Sequence, residues 1–157
     1  MDVLGNEQAE KYLVFEVDGH IFSVDFHSVL QIVAASTPER IPDFPDYVTG
    51  TVMFRERYIP VIDLRRRFGY PTKEASDRDC FIVTEQGDKQ AALLVDIIYG
   101  FEEKTPEQIQ PAVELNEDAS ARFLVGEFTD AQGRECRVID PELVVKLGDE
   151  RIFETNN

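Results

Sequence analysis

The chain has 157 residues, 43% of them hydrophobic and 10% aromatic, which suits one globular domain, or two small subdomains sharing a core, and excludes a disordered tail. With 16 Lys and Arg against 31 Asp and Glu, the formal net charge of −15 repels phosphate backbones and anionic lipid at long range, so an anionic partner would have to be met by a local cluster. No apolar run approaches the about 18 residues a membrane span needs and no signal peptide is evident, so the expectation is a cytoplasmic protein without membrane insertion.

Residues 1–10, "MDVLGNEQAE", are polar and acidic without periodicity and read as a frayed tail. From Lys11, "KYLVFEV", Asp18-Gly19 and "HIFSV" form two β-branched and aromatic runs around a DG turn, a strong hairpin signal. "CFIVTE", Gln86-Gly87-Asp88 and "QAALLV" predict a second hairpin. Each return run ends in Val-Asp (Val24-Asp25, Val95-Asp96), followed by a segment suited to a short turn of helix ("FHSVLQIV", "IIYGF"). The echo continues from Gly50 and Gly126 to Val-Ile-Asp endings at Asp63 and Asp140. The offset between copies grows from 68 residues at the hairpin glycines, Gly19 and Gly87, to 76 at Gly50 and Gly126 and 77 at the aspartates. Too long for a solenoid period, this spacing reads as duplication of one β-rich unit of four or five short strands, a size that suits a small barrel.

The first copy closes on "RYIPVIDLRRRFGY". Pro60 lacks a donor and marks an edge or a bulge, predicting an exposed strand edge. Asp63 is placed to cap a short helix ended by Gly69, in which Leu64 and Phe68 share the core face while Arg65, Arg66 and Arg67 fan outward as a solvated cap. The twin "CRVIDPELVVKLG" puts Asp140 and Pro141 at a helix start and Gly148 at its stop; lacking the arginine run, it implies that those charges are not required by the fold. Farther back, "EEKTPEQIQPAVELNED" gives a single helical turn at Thr105-Pro106-Glu107 and then an acidic loop, without the Asp/Asn ladder of a calcium site.

Chemistry has little to work with. His20 and His27 have no nucleophile in a recognisable turn nearby and are given packing or surface roles. Asp25, Asp63, Asp96 and Asp140 read as helix caps, and no hydrolase, zinc-protease or nucleotide motif occurs. Cys80 and Cys136 lack zinc-ligand spacing and read as two buried thiols in strands, a disulfide between them being left open by the sequence and disfavoured by a reducing compartment. No catalytic, metal or cofactor residue is assigned.

"YLVFEVDGHIFSVDFHSVLQI", "RIPDFPDYVTG", "YIPVIDLRRRFG" and "LLVDIIYGFEEKTPEQIQP" resemble, in order and spacing, the CheW-like coupling proteins of bacterial chemotaxis, over roughly residues 11 to 147. The resemblance implies a mainly β fold of two small SH3-like five-stranded β-barrels with short helices. The domain would span 11–148, its first subdomain about 11–70 and its second about 80–148, with strand exchange between them left open, and 149–157 would be a C-terminal tail. It implies a non-enzymatic scaffold, without cofactor, joining the regulatory domain of a CheA-type histidine kinase to the cytoplasmic tips of methyl-accepting chemoreceptors and recruited to receptor arrays. By position, Val29 and Ile98 match apolar interaction positions, Gly50 the glycine before a long strand, and Arg55 a strand arginine.

Two departures sit near that surface: Gln31-Ile32-Val33 stands where the family usually has Glu-Ile-Arg, and Met53-Phe54-Arg55-Glu56 where it has Asn-Leu-Arg-Gly. Changes of charge at a contact alter partner choice more readily than fold. Alternatives are therefore a diverged stand-alone CheW-like module serving another pathway or binding itself, and, from a different class, a nucleic-acid-binding barrel using Arg55, Arg57 and Arg65 to Arg67, which the net charge opposes.

Overall fold

The computed structural model describes residues 8–112 and 119–146. Most of the expected N-terminal tail, the Gly148 helix stop and the C-terminal tail lie outside them. Strand β1 (Glu10–Val17) turns through Asp18-Gly19 into β2 (His20–Asp25), a 3-10 turn (Phe26–Ser28) leads to β3 (Val29–Ala34), and β4 (Val48–Phe54) and β5 (Arg57–Asp63) form the next hairpin. Helical turn α1 (Leu64–Arg67) precedes β6 (Cys80–Gln86), β7 (Lys89–Val95) and β8 (Ile97–Lys104). After 3-10 turns at Pro106–Gln108 and Ala119–Phe123 come β9 (Leu124–Thr129), β10 (Glu135–Ile139) and α2 (Pro141–Val145).

Two five-stranded sheets result, in the orders β8-β1-β2-β10-β9 and β3-β6-β7-β5-β4. Neither sheet is one sequence copy. The hairpin of each copy is hydrogen-bonded among the three remaining strands of the other, with β2 parallel to β10 and β7 parallel to β5. Both hairpins are consequently covered on two faces. Leu13, Phe15 and Val17 of β1, with Ala91, Leu93 and Val95 of β7, enter one core between the sheets. Their neighbours turn the other way, Val14 into a cluster with Phe128, Cys136 and Val138, and Ala92 into one with Ile59, Val61, Phe81 and Val83. Two-sided burial explains why these runs read as continuously apolar rather than alternating.

The repeat glycines serve one purpose. The segment after β3 crosses to β4, where the N–H groups of Glu39 and Thr51 donate to each other's carbonyls at 2.8 and 2.9 Å; after β8, Gln110 and Glu127 of β9 do the same at 2.8 and 2.9 Å. These bridges draw the edges of each sheet together into an SH3-like barrel. Gly50 and Gly126 lie beneath the crossings: a Cβ at Gly50 would strike the Glu39 carbonyl, and one at Gly126 would lie 2.7 Å from Ile109 Cγ2 and 2.9 Å from the Gln110 oxygen.

Several expectations change. "IIYGF" is not helical but begins β8, which pairs with β1 from Glu10 to Glu16, with Tyr99 as an extra bulged residue beside Gly100 at φ 125°. "FHSVLQIV" gives only a 3-10 turn before it becomes β3. Pro60 is not on an edge: β5 lies inside its sheet, and Pro60 stands one residue before the parallel ladder with β7 begins at Val61, where a missing donor costs least. Asp25, Asp63 and Asp140 do cap, each carboxylate accepting an N–H two residues on at 3.0 Å. Burial holds the Asp63 carboxyl above its ordinary range despite the N–H groups of Arg65 and Arg66.

Asp96 does not cap. Its carboxylate accepts the Asp18 N–H at 2.7 Å and a two-pronged contact from Arg65, Nε to Oδ1 at 3.2 Å and Nη2 to Oδ2 at 2.8 Å; Arg65 Nη1 also reaches Asp18 Oδ1 at 3.0 Å and donates to the Pro71 carbonyl at 2.7 Å. One guanidinium thus ties α1, the β1–β2 turn and the β7–β8 crossing, with 13% of its side chain exposed. Arg67, 8% exposed, lies over the rings of Tyr47 and Phe123, 4.0 and 4.7 Å from their centroids. It donates to the carbonyls of Val144, Leu143 and Lys146 at 3.0, 3.3 and 2.7 Å. Those are carbonyls at the end of α2, where a helix runs out of internal donors; among the described residues only that of Leu143 also accepts a backbone N–H, from Lys146 at 3.3 Å. The expectation of three solvated arginines therefore holds only for Arg66, which is 39% exposed beside Asp63. The twin helix lacks an arginine because it receives this one.

α1 itself ends as its sequence implies: Phe68 and Leu64 are buried, and Gly69, at φ 81°, and Tyr70 donate to the carbonyls of Arg66 and Arg65, a Schellman ending. Replacing Arg67 with alanine removes the buried donor that three carbonyls share and should lower the unfolding free energy by about 2–4 kcal/mol, whereas Arg66→Ala should stay within about 0.5 kcal/mol; urea titration of the two variants checks the contrast.

Candidate protein-interaction surface

The β4–β5 hairpin closes on Arg55-Glu56, both with positive φ, 49° and 68°. A two-residue turn of this hand matches the twist of paired strands but favours Gly or Asn, so the missing turn glycine is compensated by the strands around it. Arg55 leaves this turn and reaches back across the sheet to β3, donating from Nη2 to Gln31 Oε1 at 3.0 Å, with its guanidinium 4.9 Å from the Phe54 ring centroid. Arg57, the first residue of β5, donates to the Asp88 carbonyl in the β6–β7 turn at 3.2 Å. Beside them Met53 and Tyr58 are directly opposed across the two strands and stand 55% and 50% exposed.

The structure thus sorts the residues singled out in the sequence. Gln31 and Arg55 are brought together at the exposed end of one barrel. Val29 and Ile98 are half-buried against the core shared by both sheets, and Gly50 is buried in β4 under the Glu39 crossing. Tyr58 was not singled out, because its exposure depends on its place opposite Met53, which follows only once the turn at 55–56 is fixed.

The other barrel carries a second exposed apolar face. Phe26 and Phe101 meet edge to face at 4.9 Å, Lys11 Nζ lies 5.3 and 5.8 Å from their centroids, and Phe101 with Tyr99 lines a groove of about 480 Å³ against Ala131, Gln132 and Arg134. The hydrogen bond from Tyr99 to Glu16 raises the pKa of its phenol. Asp130, behind the β9–β10 turn, is pushed up by burial but held below the ordinary carboxylate range by the N–H and guanidinium of Arg134.

His27 is exposed, its Nε2 3.1 Å from Glu10; His20 stacks on Tyr70 at 4.7 Å. The cysteines are both free, in separate sheets, which answers the disulfide question. Cys136 is buried and its thiol pushed up to about 12 by desolvation, while Cys80 is only half-buried, contrary to the expectation of two buried thiols. Among the described residues, no helix is long and apolar enough to cross a membrane.

The CheW-like domain family matches residues 11–148. The chain is 29% identical over 121 residues to a probable chemotaxis protein CheW of Rhizobium etli, covering 77% of this chain and 78% of that one. It is 27% identical over 139 residues to the chemotaxis protein CheW of Bacillus subtilis, covering 87% and 86%. The crystal structure of the scaffolding protein TtCheW from Thermoanaerobacter tengcongensis superposes with a TM-score of 0.78 at 23% identity, over 87% of this chain and 88% of the other, a likeness of fold.

Gly50 and Arg55 should separate on stability. Gly50→Ala places a methyl against backbone in a left-handed conformation, φ 151°, and should cost about 2 kcal/mol or more. Arg55→Gln, at an exposed side chain, should change stability by less than about 0.5 kcal/mol, as chemical denaturation followed by circular dichroism will read.

Proposed function

The chain belongs to the CheW-like domain family, and from that premise we propose that it is a non-enzymatic cytoplasmic adaptor of bacterial chemotaxis, coupling the regulatory domain of a CheA-type histidine kinase to the cytoplasmic tips of methyl-accepting chemoreceptors within receptor arrays. The observation that carries the reading is the family match over residues 11–148, which takes in both sheets. The relatives named as chemotaxis protein CheW support it. An adaptor needs two faces on one stiff body, and the shared core and the Arg65 and Arg67 contacts supply the stiffness. Gln31 and Arg55 offer polar contacts at the end of one barrel, Val29 and Ile98 partly exposed apolar ones beside the shared core, and Gly50 keeps β4 in place. Interfaces of this kind draw most of their energy from a few apolar and arginine side chains.

A second reading, a stand-alone CheW-like module serving another regulator or binding itself, is favoured by one observation: Gln31 and Glu56 occupy positions where the resemblance predicts a glutamate and a turn glycine, and both border Arg55. Co-sedimentation with the kinase regulatory domain and a receptor-tip fragment from the same organism tests the adaptor. Both should pellet with the chain, singly and together; binding of neither would contradict the reading, and capture of a different regulator would favour the second.

A further inference from the structure

We propose that Glu10, Asp25 and His27 form a binding site for one divalent cation of the zinc class, which ties the start of β1 to the turn between β2 and β3. The inference goes beyond the adaptor reading and does not rest on it.

The first hairpin builds the site. Tyr12 of β1 stands opposite Asp25 of β2 in the register, and Glu10, two residues before Tyr12, shares its face of the strand. The cap fixes the third member: Asp25 Oδ1 accepts the His27 N–H at 3.0 Å, which leaves the second carboxylate oxygen for a ligand. His27 Nε2 and Glu10 Oε1 come to 3.1 Å, and one donor atom from each of the three residues lies within 4.8 Å of the others. Nitrogen and oxygen ligands about 2.0–2.1 Å from a tetrahedral zinc ion stand roughly 3.3 Å from one another. The first pair is already near that spacing, and the exposed side chains of His27 and Glu10 close the rest by rotation.

Charge balance points the same way. In a chain with 31 acidic residues and 16 basic ones, the sheltered carboxylates of Asp79, Asp96 and Asp130 each hold a lysine or an arginine. Among the described residues Glu10 and Asp25 hold neither. The neighbouring cations are engaged elsewhere: Lys11 lies over the rings of Phe26 and Phe101, and Lys104, the β8 partner of Glu10, meets Glu102 and the Thr129 carbonyl. Two uncompensated carboxylates beside an imidazole suit a zinc-class ion, because the nitrogen donor disfavours magnesium and calcium. A carboxylate only accepts, so Nε2 carries the proton of the 3.1 Å contact. The ion takes the place of that proton, neutral His27 keeps its own on Nδ1, and water fills the remaining position. Phe26 lies between two of the ligands, so the ion also fixes its edge-to-face contact with Phe101.

Zn²⁺ is titrated into the metal-free full chain by calorimetry, with the histidine ring resonances followed by NMR. The expected result is one ion per chain with a micromolar dissociation constant, the ring signals of His27 shifting while those of His20, the other histidine of the chain, stay in place. His27→Gln, Glu10→Gln and Asp25→Asn should each weaken binding about tenfold or more, whereas His20→Gln should bind as the parent does. Mg²⁺ or Ca²⁺ at equal concentration should leave the titration unchanged. Asparagine keeps the cap acceptor at position 25, and the circular dichroism melt of each variant checks its folding. Zn²⁺ should raise the melting midpoint of the parent and not that of His27→Gln.

Absence of saturable Zn²⁺ binding would overturn the site. Uptake of several weak ions, alike in the parent and in the Glu10, Asp25 and His27 variants, would overturn it too, as the mark of diffuse binding to an acidic surface. Displacement of Zn²⁺ by equal Mg²⁺ or Ca²⁺, or loss of binding in His20→Gln with His27→Gln unaffected, would do the same. None of these results bears on the adaptor reading.

Discussion

One guanidinium sits where the chain passes from one sheet to the other. Arg65 grips both oxygens of Asp96, at the β7–β8 crossing, while reaching Asp18 in the β1–β2 turn, and Asp18 in turn donates its N–H to Asp96. Each partner belongs to a different local element, and none could hold this geometry alone. A charge pair this sheltered stabilises only if its desolvation is offset by complete hydrogen bonding, and here four acceptors are supplied to Arg65, counting the Pro71 carbonyl. Arg67 does the equivalent two residues on, linking α1 to the carbonyl end of α2. Three residues in a row therefore divide the labour: two join the barrels and one meets water.

This arrangement follows from exchange. Each hairpin is inserted into the strands of the other sequence copy, so the apolar hairpins face both a barrel interior and the core between barrels. The middles of β1, β2, β6 and β7 are thereby withdrawn from solvent, and exposed apolar and arginine side chains come from elsewhere: the β4–β5 end with Met53, Arg55 and Tyr58, and the aromatic edge of β8. A rigid interior and surfaces confined to the two barrels would suit the proposed adaptor role, since a floppy joint would dissipate any geometric coupling between partners.

Local signals were legible in the sequence wherever local chemistry decides. The Asp18-Gly19 turn, the caps at Asp25, Asp63 and Asp140, the Thr105-to-Gln108 capping box and the Gly69 ending all depend on residues a few positions apart. Gly50 and Gly126 were visible as a repeat, although their purpose, admitting a crossing backbone, was not. What escaped was set by distant partners. "IIYGF" became a strand because β1 lies beside it, Pro60 was tolerated inside a sheet because a parallel ladder starts just past it, and the arginines turned inward because carboxylates and carbonyls from residues 18, 96 and 143 to 146 waited for them. At the candidate surface, the pairing of Arg55 with Gln31 joined two residues that the sequence had singled out separately.

The central claim is that the arginine run is an internal joint rather than a solvent-facing or ligand-gripping patch, and a double-mutant cycle between Arg65 and Asp96 tests it most directly. With Arg65→Gln, Asp96→Asn and the double variant compared by urea unfolding, the account predicts a coupling energy of about 1–3 kcal/mol, with either single change costing nearly as much as both. A coupling below about 0.3 kcal/mol, with each single change nearly neutral as for an exposed pair, would contradict it.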